Sequence, residues 1–421
     1  MDTYRHEIIV AGGGFTGVAA AVAAAREGRD VLLVEKSGFL GGAATNCLVN
    51  PFMNYFCKDM ETGESTPINR GFFEEILNEL KAMGGLHENK RTFNEEYLKI
   101  VLDRLCAKYN VKVLLHTIIT DVIKEGDRIT YLEAYSTGQK LKLAAECFID
   151  ASGDANLAAL AGCDFQLGRE EDGLCQPMTL CLRIANITAK NIRELRPYMN
   201  EMFNKLQAEG KIKNPRENIL FFEHMSEGVI HFNTTRIIKK NPTNPFDLSY
   251  AEAAAREQGL ELLNFLKEYV PGFENATLIM TAAEIGVRES RKVIGEYVLQ
   301  AEDLLECKQF EDSVARGAYE VDIHNPSGTG TVIKRLPEGK YYTIPYRSLV
   351  PLKVSNMLVA GRCISSSHEA QSAYRVIPIV CCIGEGAGTA AAVFVENKNG
   401  AMKEVDIKEV QRRLTKHNAL Y

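Results

Sequence analysis

Residues 8–36, IIVAGGGFTGVAAAVAAAREGRDVLLVEK, read as one strand–turn–helix–strand unit. The apolar run from Ile8 to Ala11 is too short for a helix and suits a buried strand. Gly12, Gly14 and Gly17 follow at G-x-G-x-x-G spacing. The first permits a tight turn, the second lets main chain approach a pyrophosphate, and the third lets helix and strand pack closely. Phe15 and Thr16 lie between them and open a helix of small side chains, whose free amides and dipole would face the phosphates. Val31 to Val34 form the second strand, ended by Glu35 and Lys36. A carboxylate at Glu35 accepts hydrogen bonds from a ribose 2′-OH and repels a 2′-phosphate. The glycine triplet alone is weak evidence; with strand, helix, second strand and acid it indicates a dinucleotide turn.

The 421 residues, 25% charged and 46% hydrophobic, are enough for two or three structural units without covalent staples. A formal charge of −6 lacks the surplus base of a nucleic-acid footprint, so no nucleic-acid partner is expected. The eleven cysteines include no C-x-x-C pair, which predicts free thiols in a reducing compartment and no metal site. The beginning, MDTYRHE, is polar and shows no signal peptide. The closest approach to a membrane span, Val376 to Val395, contains Glu385 and several glycines. A cytoplasmic protein without a membrane partner is the expectation.

A glycine-rich loop, Gly38 to Ala44, follows the second strand. Helical spacing returns at Phe72 to Lys81 and at Glu95 to Lys108, and Val111 to Leu115 predicts a third strand. From Ile118 to Ile149 the period changes to two, with turn signals at Gly126-Asp127 and Gly138-Gln139, which predicts an antiparallel meander. It closes in CFIDASGDANLAALAG, residues 147–162: strand, Gly-Asp turn and a helix of small residues. Residues 165–340 read as a separate α+β unit, with strands at Met178 to Ile184 and Val229 to Thr235 and helices at Ser249 to Tyr269 and about Ala282 to Ala301. The chain then returns through a strand at Met357 to Ala360, Gly361-Arg362, and a helix opened by Pro378. The predicted class is α/β, a Rossmann-like domain with a meander, residues 1–164 and 341–421, interrupted by an α+β substrate domain, residues 165–340.

These segments resemble the FAD-dependent oxidoreductase family, whose flavin domain is split by a substrate domain; fumarate-reductase and glutathione-reductase flavoproteins are more distant likenesses. The motifs carrying the resemblance are GGGFTG at 12–17, EKSGFLGGAAT at 35–45, IDASGDANLAALAG at 149–162, EIGVRESRKVIGEY at 284–297, and the run from IPYRSLVP through NMLVAGRCISSSHEAQSAYRVIP to GEGAGTAAA, 344–392. The resemblance implies FAD. It would place Gly12, Gly14 and Gly17 on the pyrophosphate, Glu35 on the adenosine ribose, and Gly41, Gly42 and Ala43 beside the ribityl–phosphate chain. It would also place Asp121-Val122 at the adenine and Ser152, Gly153 and Asp154 in a second loop near the nucleotide. Gly361, Arg362 and Ile364 would meet the ribityl chain, with Val376 and Ile377 under the pyrimidine edge of the isoalloxazine. Arg362 departs from the Gly-Asp of glutathione-reductase-like proteins, and no redox disulfide is present.

Flavin enzymes place redox work on the cofactor, and the protein supplies position, charge and proton transfer. Arg375, just before the Pro378 helix, is a candidate stabiliser of charge at flavin N1 and C2=O, or a surface cation. His368 is the first candidate acid or base, or a loop cap, and His324 the second. Arg288 and Arg291, three apart on the predicted helix, either clamp a substrate carboxylate or pair with Glu284. Tyr346 and Arg347 are placed to line a cleft, Asn50 and Asn54 either touch ligand or satisfy turns, and Cys47 is open to covalent attachment. The expected activity is hydride transfer between flavin N5 and a small polar substrate, carbohydrate-like or a carboxylate. The alternative is an FAD-carrying electron-transfer subunit of a larger complex.

Overall fold

The computed structural model describes residues 3–398 and 400–421. The opening unit forms as its sequence dictates: β1 (Thr3–Ala11), α1 (Phe15–Arg26) and β2 (Val31–Val34), with β1 and β2 parallel from Ile8 opposite Val31. A small hairpin, β3 (Phe56–Lys58) and β4 (Ser65–Pro67), precedes α2 (Phe72–Ala82) and α3 (Glu95–Lys108). Asn94 caps α3 by accepting from the Glu96 and Tyr97 amides, which fixes its start where the periodicity puts it. Phe52 stacks on Phe93 at 4.2 Å and meets Phe15 edge-on at 5.8 Å, so the first turn of α1 is braced from behind by an aromatic cluster.

Then come β5 (Lys112–Leu114), β6 (Thr117–Glu125), β7 (Arg128–Ser136) and β8 (Gln139–Asp150). The predicted meander is present, and its last strand has a double role. β8 runs antiparallel to β7 through Leu143, then parallel to β1 as far as Asp150. One uninterrupted strand therefore joins the meander to the parallel sheet, of order β5-β2-β1-β8 with β7 and β6 beyond.

After α4 (Asn156–Leu160) and β9 (Phe165–Leu167), β10 (Leu182–Ala185), α5 (Arg196–Ala208), β11 (Phe221–Glu223), β12 (Ile230–Phe232), α6 (Pro245–Tyr269) and β13 (Thr277–Thr281) build a second sheet of order β11-β12-β10-β13. Its core, including Phe203, Phe221, Phe232 and Phe265, forms an apolar cluster distinct from the main one. Helix α6 begins at Pro245, four residues before the spacing suggested, because Asn244 caps it and proline suits the first helical position.

The helix predicted at 282–301 does not form. Gly286 instead pairs with Thr179, and β14 (Arg291–Val293) runs antiparallel to β9. Two glycines and four β-branched residues from Ile285 to Gly295 weaken helix propensity, and strand partners take the backbone groups. Arg288 and Arg291 therefore share no helical face.

The chain continues through α7 (Ala301–Leu305), β15 (Ser313–Gly317), the hairpin β16 (Val321–His324) and β17 (Thr331–Lys334), and β18 (Tyr342–Pro345). The return strand β19 (Met357–Val359) pairs parallel with β8 from Met357 opposite Phe148. Next are α8 (His368–Tyr374), α9 (Ile377–Asn397) and α10 (Ile407–Lys416). Helix α9 is long and apolar enough to cross a bilayer, yet all of its apolar window is buried in the core. It lies against α1 at backbone contact: side chains at Gly384 and Gly388 would collide with the carbonyls of Thr16 and Ala20.

Candidate active site

A cavity opens at the carboxyl ends of β1 and β2, where α/β sheets place their ligands. Its wall is built by close backbone approach. Gly12 has φ +102°, and a Cβ there would stand 2.6 Å from the Ala151 carbonyl oxygen. Gly42 crosses above the turn so closely that its Cβ would lie 2.8 Å from Gly14 Cα. Gly14 precedes the first turn of α1 with φ −67°, and a Cβ on it would meet only Gly42 Cα, at 3.7 Å. The turn thus presents bare main chain to the cavity beside the amino end of a twelve-residue helix.

Glu35 lines one side and is nearly buried. It accepts from the Gly13 amide at 2.6 Å and the Ser37 amide at 2.8 Å, which locks the carboxylate between turn and loop. Lys36 pairs with Glu284 at 3.0 Å, which removes Glu284 as the partner of Arg288. Across the cavity Arg362 reaches Asp154 and ties the Gly361 loop to the Ser152–Asp154 loop. Burial works against ionised Asp154, but the Arg362 guanidinium holds its carboxyl below the usual range. The far end is lined by Cys47, Ile285, Val287, Arg375, Ile377 and Val380. Burial pushes the Cys47 thiol up to about 12, so it is not a nucleophile at neutral pH.

The cradle fits the ligand it implies: room over Gly14, a helix amino end for two phosphates, a fixed acid near the ribose position, and an apolar end broad enough to carry side chains from three segments. A family model described as FAD dependent oxidoreductase matches residues 7–414. The chain belongs to the FAD-dependent oxidoreductase family. It is a flavoenzyme, and its cofactor is FAD.

No curated protein matches it. Among solved structures, anhydrotetracycline hydroxylase OxyS from Streptomyces rimosus is 9% identical with a TM-score of 0.50, covering 98% of this chain and 66% of its own. A geranylgeranyl bacteriochlorophyll reductase-like protein from Thermoplasma acidophilum is 12% identical with a TM-score of 0.46, covering 98% and 83%. At such identity the first likeness concerns the fold alone.

Of the residues named from sequence for the cofactor, Gly12, Gly14, Phe15, Thr16, Glu35, Lys36, Gly41, Gly42, Ala43, Ser152, Gly153, Asp154, Gly361, Arg362, Arg375 and Ile377 line the oxidoreductase's cavity. Gly17 stands behind it, because a Cβ there would strike the Gly12 oxygen. Val122, Ile364 and Val376 are not in the lining; Thr117, Ile118 and Ile119, at the start of β6, stand where Asp121-Val122 was expected. The sequence reading had no register for β6 and did not name those three residues. It also missed Asn46, Glu284, Ile285 and Val287, which reach the cavity only through the folding of distant segments.

The catalytic candidates lie outside the lining. His368 starts α8, in a segment read as loop, and its Nδ1 stands 2.8 Å from Glu289 Oε1. Glu289 also accepts from Lys292 at 2.6 Å and the Gln176 amide at 3.0 Å. Burial raises the cost of a charge on Glu289, but His368 and Lys292 hold its carboxyl below the usual range. His324 ends β16, with Nδ1 3.1 Å from Thr331 Oγ1 and Nε2 3.6 Å from Asp322. Burial, reinforced by Arg288, lowers His324 to about 3, so its ring is neutral at pH 7. Arg291 donates to the Asp154 carbonyl at 3.0 Å, and Arg288 to the Pro177 carbonyl at 2.7 Å. Arg375 is no surface cation: Nη2 donates to Gln176 at 3.1 Å and Nη1 is buried without an acceptor among the described residues.

The remaining residues have structural partners. Asn50 donates to the Phe93 carbonyl at 2.7 Å, and Asn54 to the Phe56 carbonyl at 3.0 Å. Tyr346 donates to the Met402 carbonyl at 2.8 Å, and Arg347 pairs with Asp312 at 2.9 Å.

Proposed function

We propose that the enzyme moves a hydride between flavin N5 and a small polar organic substrate, carbohydrate-like or a carboxylate. The substrate binds between the part formed by residues 1–164 and 341–421 and the part formed by 165–340. One observation carries this reading: main chain at Gly14 is left bare under Gly42 while every neighbouring glycine is filled by protein. Such a gap serves a pyrophosphate.

When bound, FAD supplies the two-electron chemistry. Gly12, Gly14 and the first turn of α1 would hold its phosphates, Glu35 the adenosine ribose, and Gly41 to Ala43 and Gly361 the ribityl chain. Arg375 and the amino end of α9 would face the pyrimidine edge, where positive charge favours the reduced ring. Substrate oxidation releases a proton, and reduction consumes one. His368 is the group we assign to this transfer, through Nε2, because Glu289 fixes its Nδ1 side. His324, neutral and held by Asp322, is the second choice.

Anaerobic mixing of the FAD-loaded protein with pooled small polar metabolites tests the reading. Bleaching of the flavin absorbance by one component, slowed in His368→Ala at unchanged FAD content, is the expected result. A colourless protein that takes up no FAD would overturn it.

A further inference from the structure

Between the cavity and the second sheet lies a buried group of guanidiniums whose charges do not cancel. Arg236 is fully buried and fully satisfied: it donates to the carbonyls of Gly328, Asn325 and Gly330, each at 3.0 Å, and pairs with Glu217 at 3.1 Å. Arg216 is almost as buried, 3% exposed, but its Nε and Nη1 have no acceptor among the described residues. Arg375 Nη1 and Gln176 Nε2 are likewise buried N–H donors with nothing to bond. An unmade bond at a buried charged donor costs more than any other polar omission, so so many together call for an absent acceptor.

The charge count agrees. Among the described residues, the carboxylates that act most strongly on Arg216, Arg236, Arg288 and Arg375 are Glu217, Asp322 and Glu289. Glu289, also near Arg375, is already taken by Lys292 and His368, and Arg362 by Asp154. His324 is neutral, and the Cys181 thiol is pushed up to about 12 by burial and adds no negative charge. The group therefore carries a surplus of about two positive charges. Burial and the charges of Arg216 and Arg375 lower Arg288 to about 9, still cationic at pH 7.

We infer that the substrate is a dianion, a dicarboxylate or a phosphate monoester, whose oxygens are received by Arg216, Arg288 and Gln176 Nε2, with Arg375 between them and the flavin end of the cavity. Guanidinium forks match both anions in geometry. This substrate class rests on the reading of the cavity as the FAD site, and it goes beyond that reading by choosing the anion over the neutral carbohydrate.

The test is calorimetric titration of the FAD-loaded protein, at fixed ionic strength, with malonate, succinate and glutarate, with inorganic phosphate and glycerol phosphate, and with acetate. At least one dianion binds tenfold or more tightly than acetate. The better series, carboxylate or phosphate, identifies the source. Arg216→Met and Arg288→Met each weaken that binding tenfold or more, while Arg216→Lys weakens it less, with FAD released on denaturation remaining stoichiometric. No preference for dianions over acetate would overturn the inference, and so would wild-type affinity in Arg216→Met or in Arg216→Lys and Arg288→Met together. A protein that binds dianions with this arginine dependence but takes up no FAD would sink the cofactor reading and leave the anion site standing.

Discussion

Gly42 rides over Gly14 at a separation that leaves no room for a side chain on the upper residue and ample room on the lower one. The asymmetry separates two kinds of glycine in the same motif. Gly14→Ala fits the protein sterically, so it keeps wild-type circular dichroism while its FAD affinity falls at least about tenfold, because the methyl takes the place of the pyrophosphate. Gly17→Ala drives its Cβ into the Gly12 oxygen and yields little folded protein. Flavin content and far-ultraviolet dichroism, measured together, check both.

Glu385, 2% exposed on α9, accepts from the Phe72 amide at 3.0 Å and pairs with Arg26 at 3.3 Å. Burial raises its carboxyl to about 7 in spite of those partners. The folded value exceeds the unfolded one, near 4.5, so the folded state binds the extra proton between them. Wild-type stability therefore drops as pH rises across that window and levels off above it. Denaturant unfolding at pH 4.5 and pH 8 should show Glu385→Gln gaining about 3 kcal/mol relative to wild type.

His231 has the opposite sign. Its ring is 2% exposed, neither nitrogen has a partner among the described residues, and burial lowers it to about 3. The unfolded state binds its proton first as pH falls below about 6.5, so this residue alone costs about 2 kcal/mol of stability by pH 5. His231→Phe, which keeps a flat ring beside Phe222, should lose less stability than wild type between pH 7 and 5.

Arg236 clamps the Asn325–Gly330 turn of the β16–β17 hairpin with three carbonyl bonds. Arg236→Met leaves Glu217 and those carbonyls without their donor and should cost on the order of 3–5 kcal/mol. Faster proteolytic cutting within residues 325–330 than elsewhere in the chain is the local signature.

The nucleotide half was legible because its signals are local. Glycine spacing, a small-residue helix and β-rich runs act within thirty residues, and Asn94 marks its own helix start. Of the proposed anion site, Arg288 and Arg375 were named from sequence, Arg288 with Arg291 as its companion; Arg216 and Gln176 were not, because they lie in irregular segments far from both in the chain. Arg288 and Arg291 were misjudged for the same cause: isolated spacing favoured a helix, while β9 and Thr179 offered strand partners that no window includes. His368 was named from its chain position alone, whereas its bond to Glu289 joins positions 79 apart in sequence.

Strand β19 and helix α9 supply the last parallel strand and the backing of α1, although they come from the final sixth of the chain. A ribosome must therefore release nearly all of this polypeptide before the phosphate cradle is rigid. Cofactor loading is consequently a late event in the protein's life, and nascent chains stalled before residue 357 would emerge colourless.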